Sequence, residues 1–173
     1  VKDLTRFIRD VPDFPKQGIL FKDITPLIAT PEAFDEAIRQ MAARVERPDA
    51  VVAIESRGFV FGAPLSREWG VPFVPARKFG KLPGRTVRQV YSLEYGEDTL
   101  ELHADALRPG WQVVVVDDLL ATGGTAGATV GLVEQLGARV RAALFAVELV
   151  GLGGRQKLAP TRVEALMSFE VHG

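Results

Sequence analysis

A chain of 173 residues, 47% hydrophobic and 25% charged, holds enough apolar material for one buried core, so residues 1–173 are expected to form a single domain. The formal net charge of −1 provides no field to gather nucleic acid or an anionic membrane, so any phosphate binding must come from locally placed donors. With no cysteine and only His103 and His172, far apart, disulfides, thiol chemistry and a dedicated zinc site are not expected.

No apolar run approaches the roughly 20 residues of a bilayer span, and the start of the chain carries an acid at Asp3 with no signal-like apolar core. The expectation is a cytoplasmic protein. Asparagine is absent and arginine (15) outnumbers lysine (6), which fits a hot-growing source and a GC-rich genome equally.

Along the chain, residues 2–10 read as a short amphipathic helix with Leu4, Phe7 and Ile8 on one side. The Pro12–Pro15 stretch ends it, because proline disfavours helix in the preceding residue. Thr30-Pro31-Glu32 starts a helix, with Thr30 as N-cap and Phe34, Ile38, Met41 and Val45 as its apolar stripe. Ala50–Ile54 is an all-apolar run of the kind buried on both faces in a parallel sheet. A helix over about 59–69 ends at Gly70, and a strand follows over 71–76. Residues 86–103 alternate, with Leu100, Leu102 and Ala104 on one side and Glu101 and His103 on the other, and Gly96 between two halves of a hairpin. Val113–Val116 is a further buried strand, a helix carries Val130, Leu132, Val133 and Leu136, and a strand lies near 140–147. The alternation predicts an α/β fold with a mostly parallel twisted sheet flanked by helices, with ligands beyond the carboxyl ends of the strands.

At one of those ends, Val113–Val116 runs into Asp117-Asp118-Leu119-Leu120-Ala121-Thr122-Gly123-Gly124-Thr125. The two glycines let successive N–H groups converge on one anion. The following helix adds its positive end, and Thr122 and Thr125 add hydroxyls. There is no Gly-Lys-Ser/Thr of a Walker loop, and the spacing does not fit a dinucleotide fingerprint. A helix start after a strand would account for the threonines and glycines alone. It does not account for two adjacent carboxylates, which suit a sugar diol, directly or through hydrated Mg²⁺.

This stretch resembles the phosphoribosyl pyrophosphate (PRPP) motif of the type I phosphoribosyltransferases. The resemblance implies that Ala121, Thr122, Gly123, Gly124 and Thr125 hold a 5′-phosphate, and that Asp117 and Asp118 face the ribose hydroxyls. Glu55-Ser56-Arg57-Gly58 follows another strand; alone it reads as a turn, and in the family the equivalent loop contacts pyrophosphate. Arg77-Lys78-Phe79-Gly80-Lys81-Leu82-Pro83-Gly84-Arg85 reads as a solvated loop or as a lid. It is similar to the family's flexible active-site loop, which would bring Lys78 and Lys81 to pyrophosphate; lid and hairpin together cover 78–103.

Two segments narrow the resemblance to the adenine phosphoribosyltransferases. Tyr91-Ser92-Leu93-Glu94-Tyr95-Gly96 is similar to that family's sequence, in which the residue at Glu94 handles the proton on the purine imidazole; by itself Glu94 reads as a surface hairpin residue. Phe14-Pro15-Lys16-Gln17-Gly18-Ile19-Leu20-Phe21-Lys22-Asp23-Ile24-Thr25-Pro26 reads as a core-covering loop, or as a hood (residues 1–30) over a flat base. It resembles the family signature in which the adenine amino group meets the carbonyl of Leu20 and N1 meets the N–H of Lys22, with Phe21 against the ring. A 6-oxo purine would then leave buried groups unpaired at about 1–3 kcal/mol each.

The resemblance covers about residues 14–160, including Gly153-Gly154-Arg155-Gln156-Lys157-Leu158-Ala159-Pro160. It implies adenine and PRPP as substrates, AMP and pyrophosphate as products, and Mg²⁺ carried mainly by PRPP rather than by a protein metal site. It also implies a homodimer. Phe59-Val60-Phe61 suits either that interface or the protein's own core. A xanthine or orotate enzyme would not need the 14–27 segment. A non-catalytic PRPP sensor would need a nucleic-acid surface, and the sequence has no basic stripe or added winged helix.

Overall fold

A computed structural model describes residues 3–93 and 96–171. They fall into two compact units, divided after Gln40.

The first unit opens with a 3₁₀ turn, Thr5–Phe7, and a two-stranded antiparallel ladder of β1 (Arg9–Pro12) and β2 (Leu20–Asp23). The short helix α1 (Thr25–Ile28) follows, and α2 (Pro31–Ala43) begins. The expected helix over 2–10 is therefore corrected: Leu4, Phe7 and Ile8 make a single turn, and the chain is extended from Arg9. Cross-strand charge pairs favour the strand, with Arg9 on Asp23 and Lys22 on Asp10, each at 2.6 Å in register with its partner. Thr30 precedes α2 as expected, but its hydroxyl donates to the Pro26 carbonyl (2.8 Å) and so ties α2 back to α1.

The second unit is a seven-stranded sheet in the order β5-β6-β4-β3-β7-β8-β9. Its strands are β3 (Ala50–Ile54), β4 (Phe73–Lys78), β5 (Thr86–Leu93), β6 (Gly96–His103), β7 (Gln112–Leu120), β8 (Arg139–Val150) and β9 (Val163–Glu170). The pairs from β4 to β9 across the middle are parallel, and the β5–β6 hairpin joins antiparallel at β4. Helices α3 (Arg57–Trp69), α4 (Gly124–Gln135) and α5 (Gly154–Leu158) connect them. The expected mixed, mostly parallel α/β architecture is the one observed. β3 and Val113–Val116 are wholly buried, as an all-apolar run flanked by parallel partners must be. The expected strands and helices recur with their ends moved by a few residues. β9 and α5 were not anticipated; VEALMSFE mixes charge with apolar residues and carries no clean period.

The connections fix where a ligand can sit. From β3 the chain crosses through α3 to β4 on one side, and then returns past β3 to β7 on the other. The order thus reverses between β3 and β7, and a crevice opens beyond their carboxyl ends.

Candidate functional site

The β3 pairing with β7 stops at Ala53↔Val116, whereas β7 continues along β8 as far as Leu120↔Glu148. The strand therefore does not end at Val116, as the apolar run suggested: its longer partner β8 carries it four residues on. Asp117 and Asp118 consequently stand where β7 has lost its β3 neighbour but is still held by β8. That anchors two carboxylates at an open sheet edge.

From the β3 side, Glu55 and Ser56, joined by a cis peptide, lead into α3. Gly58 in its first turn is packed so close to β7 that an added Cβ would meet Asp117 Oδ1 and the Val116 carbonyl at 3.0 Å each. A residue without Cβ is what lets the two strand ends meet. Arg57 Nε lies 2.7 Å from Asp118 Oδ2. Asp118 N–H donates to Asp117 Oδ1 at 2.8 Å. Burial first, and then the adjacent Asp118 carboxylate, push the Asp117 carboxyl well above the ordinary range; the Asp118 N–H and the Arg57 charge offset this only in part. A pair sharing charge in this way disfavours two full anions and favours a hydroxyl or cationic partner.

These groups line a cleft of about 380 Å³ that also receives Lys78, Tyr91, Asp98 and Thr125. Lys78 Nζ is 3.5 Å from Asp98 Oδ2, and the Tyr91 hydroxyl faces the same carboxylate at 3.4 Å. Thr99 N–H first, and then the Lys78 charge, hold Asp98 below its ordinary range against burial. Glu55 points away from solvent toward β4, accepting from Lys78 N–H (3.0 Å) and Arg77 Nε (3.1 Å). Burial works to raise its pKa, but these two bonds and the charges of Arg77 and Lys81 together hold it low. Lys81 sits further along the loop, its N–H on the Lys78 carbonyl at 3.2 Å.

Beyond β7, a smaller hollow of about 110 Å³ is formed by Asp117, residues 119–126 and Phe145. Gly123 caps α4 at φ 89°, in the left-handed region that favours glycine. The five residues Ala121–Thr125 are thus brought together around one helix start, as the sequence motif required. Glu101 was expected on the side of the hairpin opposite Leu100 and Leu102, a side that alternation alone does not mark as buried. It is buried, accepting from the Thr86 hydroxyl (2.5 Å) and Gly80 N–H (2.9 Å), with Arg88 3.7 Å away. It pins the loop after β4 to the hairpin, a link that only the β4–β6 pairing could reveal. Glu94 and Tyr95, and with them the expected proton acceptor, lie outside the described residues, as does His172. Asp98 was also missed; it does not stand in a stretch whose local pattern singles it out.

In the first unit, Ile19 C=O accepts Phe14 N–H across the hairpin at 3.1 Å. Alternation along the strand then turns the main-chain groups of Phe21 toward β1, and those of Leu20 and Lys22 to the other edge of β2. Phe21 stacks edge-on against Phe14, with centroids 5.0 Å apart. Of the aromatic run on α3, Phe61 is fully buried and Phe59 packs edge-on against Phe73, so Phe61 belongs to this chain's own core. Among the described residues no group of three or more His, Cys, Asp or Glu side chains is placed to hold a metal ion, and no helix is long and apolar enough to cross a membrane.

The reversed-order, mostly parallel sheet carries an acid pair, a glycine loop and a facing arginine turn at its strand ends, and the chain matches the phosphoribosyl transferase domain over residues 26–169. It is 55% identical over 169 residues to the adenine phosphoribosyltransferase of Carboxydothermus hydrogenoformans, covering 96% of this chain and 99% of that one. The crystal structure of adenine phosphoribosyltransferase from Thermoanaerobacter pseudethanolicus matches with a TM-score of 0.93 at 50% identity, covering 96% of this chain and 98% of that one. The Saccharomyces cerevisiae enzyme, complexed with an imino-altritol bisphosphate and adenine, matches with a TM-score of 0.87 at 42% identity over 92% and 94% of the two chains. This chain belongs to the adenine phosphoribosyltransferase family.

Proposed function

We propose that this chain transfers the phosphoribosyl group of PRPP to adenine, forming AMP and pyrophosphate for purine salvage. The observation that carries the reading is the Asp117–Asp118 pair, which faces Arg57 in the larger cleft and leads into the Ala121–Thr125 loop around the smaller hollow. The loop takes the 5′-phosphate on converging N–H groups and threonine hydroxyls. Asp117 and Asp118 take the ribose hydroxyls and place negative charge beneath the cationic centre that develops at C1′. The C1′–O bond to pyrophosphate breaks as N9 of adenine bonds to C1′. Arg57, Lys78 and Lys81 receive the charge that accumulates on the leaving group. The N9 proton passes to Glu94. On β2, Leu20 C=O accepts from the adenine amino group and Lys22 N–H donates to N1, with Phe21 against the ring; the shared direction of those two main-chain groups supports this assignment.

The donor set fits Mg²⁺ held mainly by substrate oxygens and water: hard carboxylates are present at the sheet end, without a dedicated cluster among the described residues. When bound, the ion neutralises charge on the diphosphate. A cytoplasmic homodimer completes the reading and rests on the family resemblance.

The test is AMP formation from PRPP, Mg²⁺ and each nucleobase in turn, with chelator and Mg²⁺ add-back as a second arm. Product from adenine alone, lost with chelator and restored by Mg²⁺, is expected. No product from any base would leave a PRPP-sensing protein as the better reading.

A further inference from the structure

We propose that Arg155 is a positioning residue for phosphoribosyl binding: its ion pair with Glu148 holds α5 as a brace behind the Ala121–Thr125 loop. The inference rests on reading that loop as the 5′-phosphate site. A loop with two consecutive glycines has more backbone freedom than any other pair of residues would give it. Its N–H groups converge only if something outside the loop fixes them, and preorganised donors bind better than donors that must first be ordered.

α5 supplies that support. Gly154 meets the loop so closely that a Cβ there would lie 2.6 Å from the Ala121 carbonyl and 2.8 Å from Leu120 Cγ. From the loop side, a Cβ on Gly123 would meet Gly154 O at 3.0 Å and Lys157 Cβ at 3.1 Å. The nearest atom on each side is a backbone carbonyl, Ala121 O and Gly154 O, with the Leu120 and Lys157 side chains packed beside them. Five residues are too few to hold a helix by themselves, so α5 needs its own anchor. Leu158 is buried, and Arg155 reaches across to the sheet. Its Nε and Nη2 fork onto Glu148 Oε2 (2.7 Å) and Oε1 (2.9 Å), and Nη1 donates to the Val163 carbonyl (3.1 Å). Glu148 is itself buried on β8, and in register it stands opposite Leu120, the residue before the loop. One side chain thus fastens α5 to β8 and β9 at the level where β7 turns into the loop. Lysine could keep the charge but not the fork.

The experiment compares wild type with Arg155→Met, Arg155→Lys and, as a loop control, Thr125→Ala, all in the full chain. It measures calorimetric affinity for ribose 5-phosphate, KM for PRPP and for adenine, kcat and Tm. Arg155→Met is expected to weaken ribose 5-phosphate and raise the PRPP KM by about tenfold or more, while the adenine KM at saturating PRPP changes less than about twofold. Arg155→Lys, the variant to use if the methionine form does not fold, should recover only part of that loss. A fall in Tm with ribose 5-phosphate affinity and PRPP KM unmoved, while Thr125→Ala weakens both, would overturn the brace alone. Affinity unmoved by both Arg155→Met and Thr125→Ala would overturn the phosphate-loop reading and the brace with it.

Discussion

Arg57 Nε stands 2.7 Å from Asp118 Oδ2, so the first residue of α3 and the second carboxylate of β7 neutralise each other across the gap between the two strand ends. The partners differ in setting: the Asp118 side chain is 6% exposed and that of Arg57 55%. The acid is built into the sheet, whereas the arginine side chain is more than half exposed at the cleft, where a guanidinium suits phosphate oxygens. Removing the arginine takes a charge from the leaving group and also leaves the buried Asp118 carboxylate without its ion-pair partner. We expect Arg57→Ala to lower kcat/KM for PRPP about 10²-fold. Asp118→Asn should lower turnover comparably while moving Tm by only a few degrees. Unchanged turnover in either would remove that side chain from the mechanism.

Gly58→Ala tests the close approach of α3 to β7 directly. The new methyl meets Asp117 Oδ1 and the Val116 carbonyl at 3.0 Å, and only the first can give way. Overpacking of this kind costs about 1–3 kcal/mol. A loss of stability in that range is expected from urea titration, accompanied by a rise in the PRPP KM because Asp117 must move. A variant with wild-type stability and KM would mean that the contact is slack.

Lys22→Ala separates main-chain from side-chain reading of the base. The ammonium is engaged with Asp10 at 2.6 Å, with the lysine side chain 11% and the aspartate 57% exposed, so Tm is measured alongside. If Leu20 C=O and Lys22 N–H recognise the ring, the variant keeps its preference for adenine over hypoxanthine with some loss of rate. A switch in preference, measured as the ratio of kcat/KM for the two bases, would sink that reading.

Acid stability should carry the signature of Asp23. The Thr25 hydroxyl first, then Thr25 N–H and the Arg9 guanidinium, bring this carboxyl down from 3.8 to about 2. A folded-state pKa below the unfolded value means stabilisation that is fully present above about 3.8 and lost as the pH falls toward 2. Urea midpoints taken between those limits should fall less steeply for Asp23→Asn than for wild type. Parallel slopes would show that Asp23 contributes nothing to the acid transition.

Much of the site was legible because its chemistry lies on contiguous residues. Asp117 through Thr125 needs no distant partner to be read: a buried β-branched run delivers the acids, and the glycines and threonines follow within one turn. Arg57 and Lys78 were reachable by the rule that strand ends carry ligands, once Ala50–Ile54 and the following strand had been found. Leu4, Phe7 and Ile8 misled for a physical reason, since i, i+3, i+4 spacing over a single turn fits a 3₁₀ turn as well as a helix. What stopped the helix was the pairing of Arg9 and Asp10 with residues more than ten positions away.

The sequence by itself determined the α/β alternation, the buried central strands and the glycine loop behind its acid pair, because each follows from local periodicity or from neighbours along the chain. Only the tertiary structure decided that β7 runs past its acids to Leu120, that Glu101 turns inward to hold Gly80, and that Arg155 reaches Glu148 behind the loop. Those depend on which strands become neighbours and how long each partner is. Contacts between residues far apart in the chain leave no mark in the local pattern of either one.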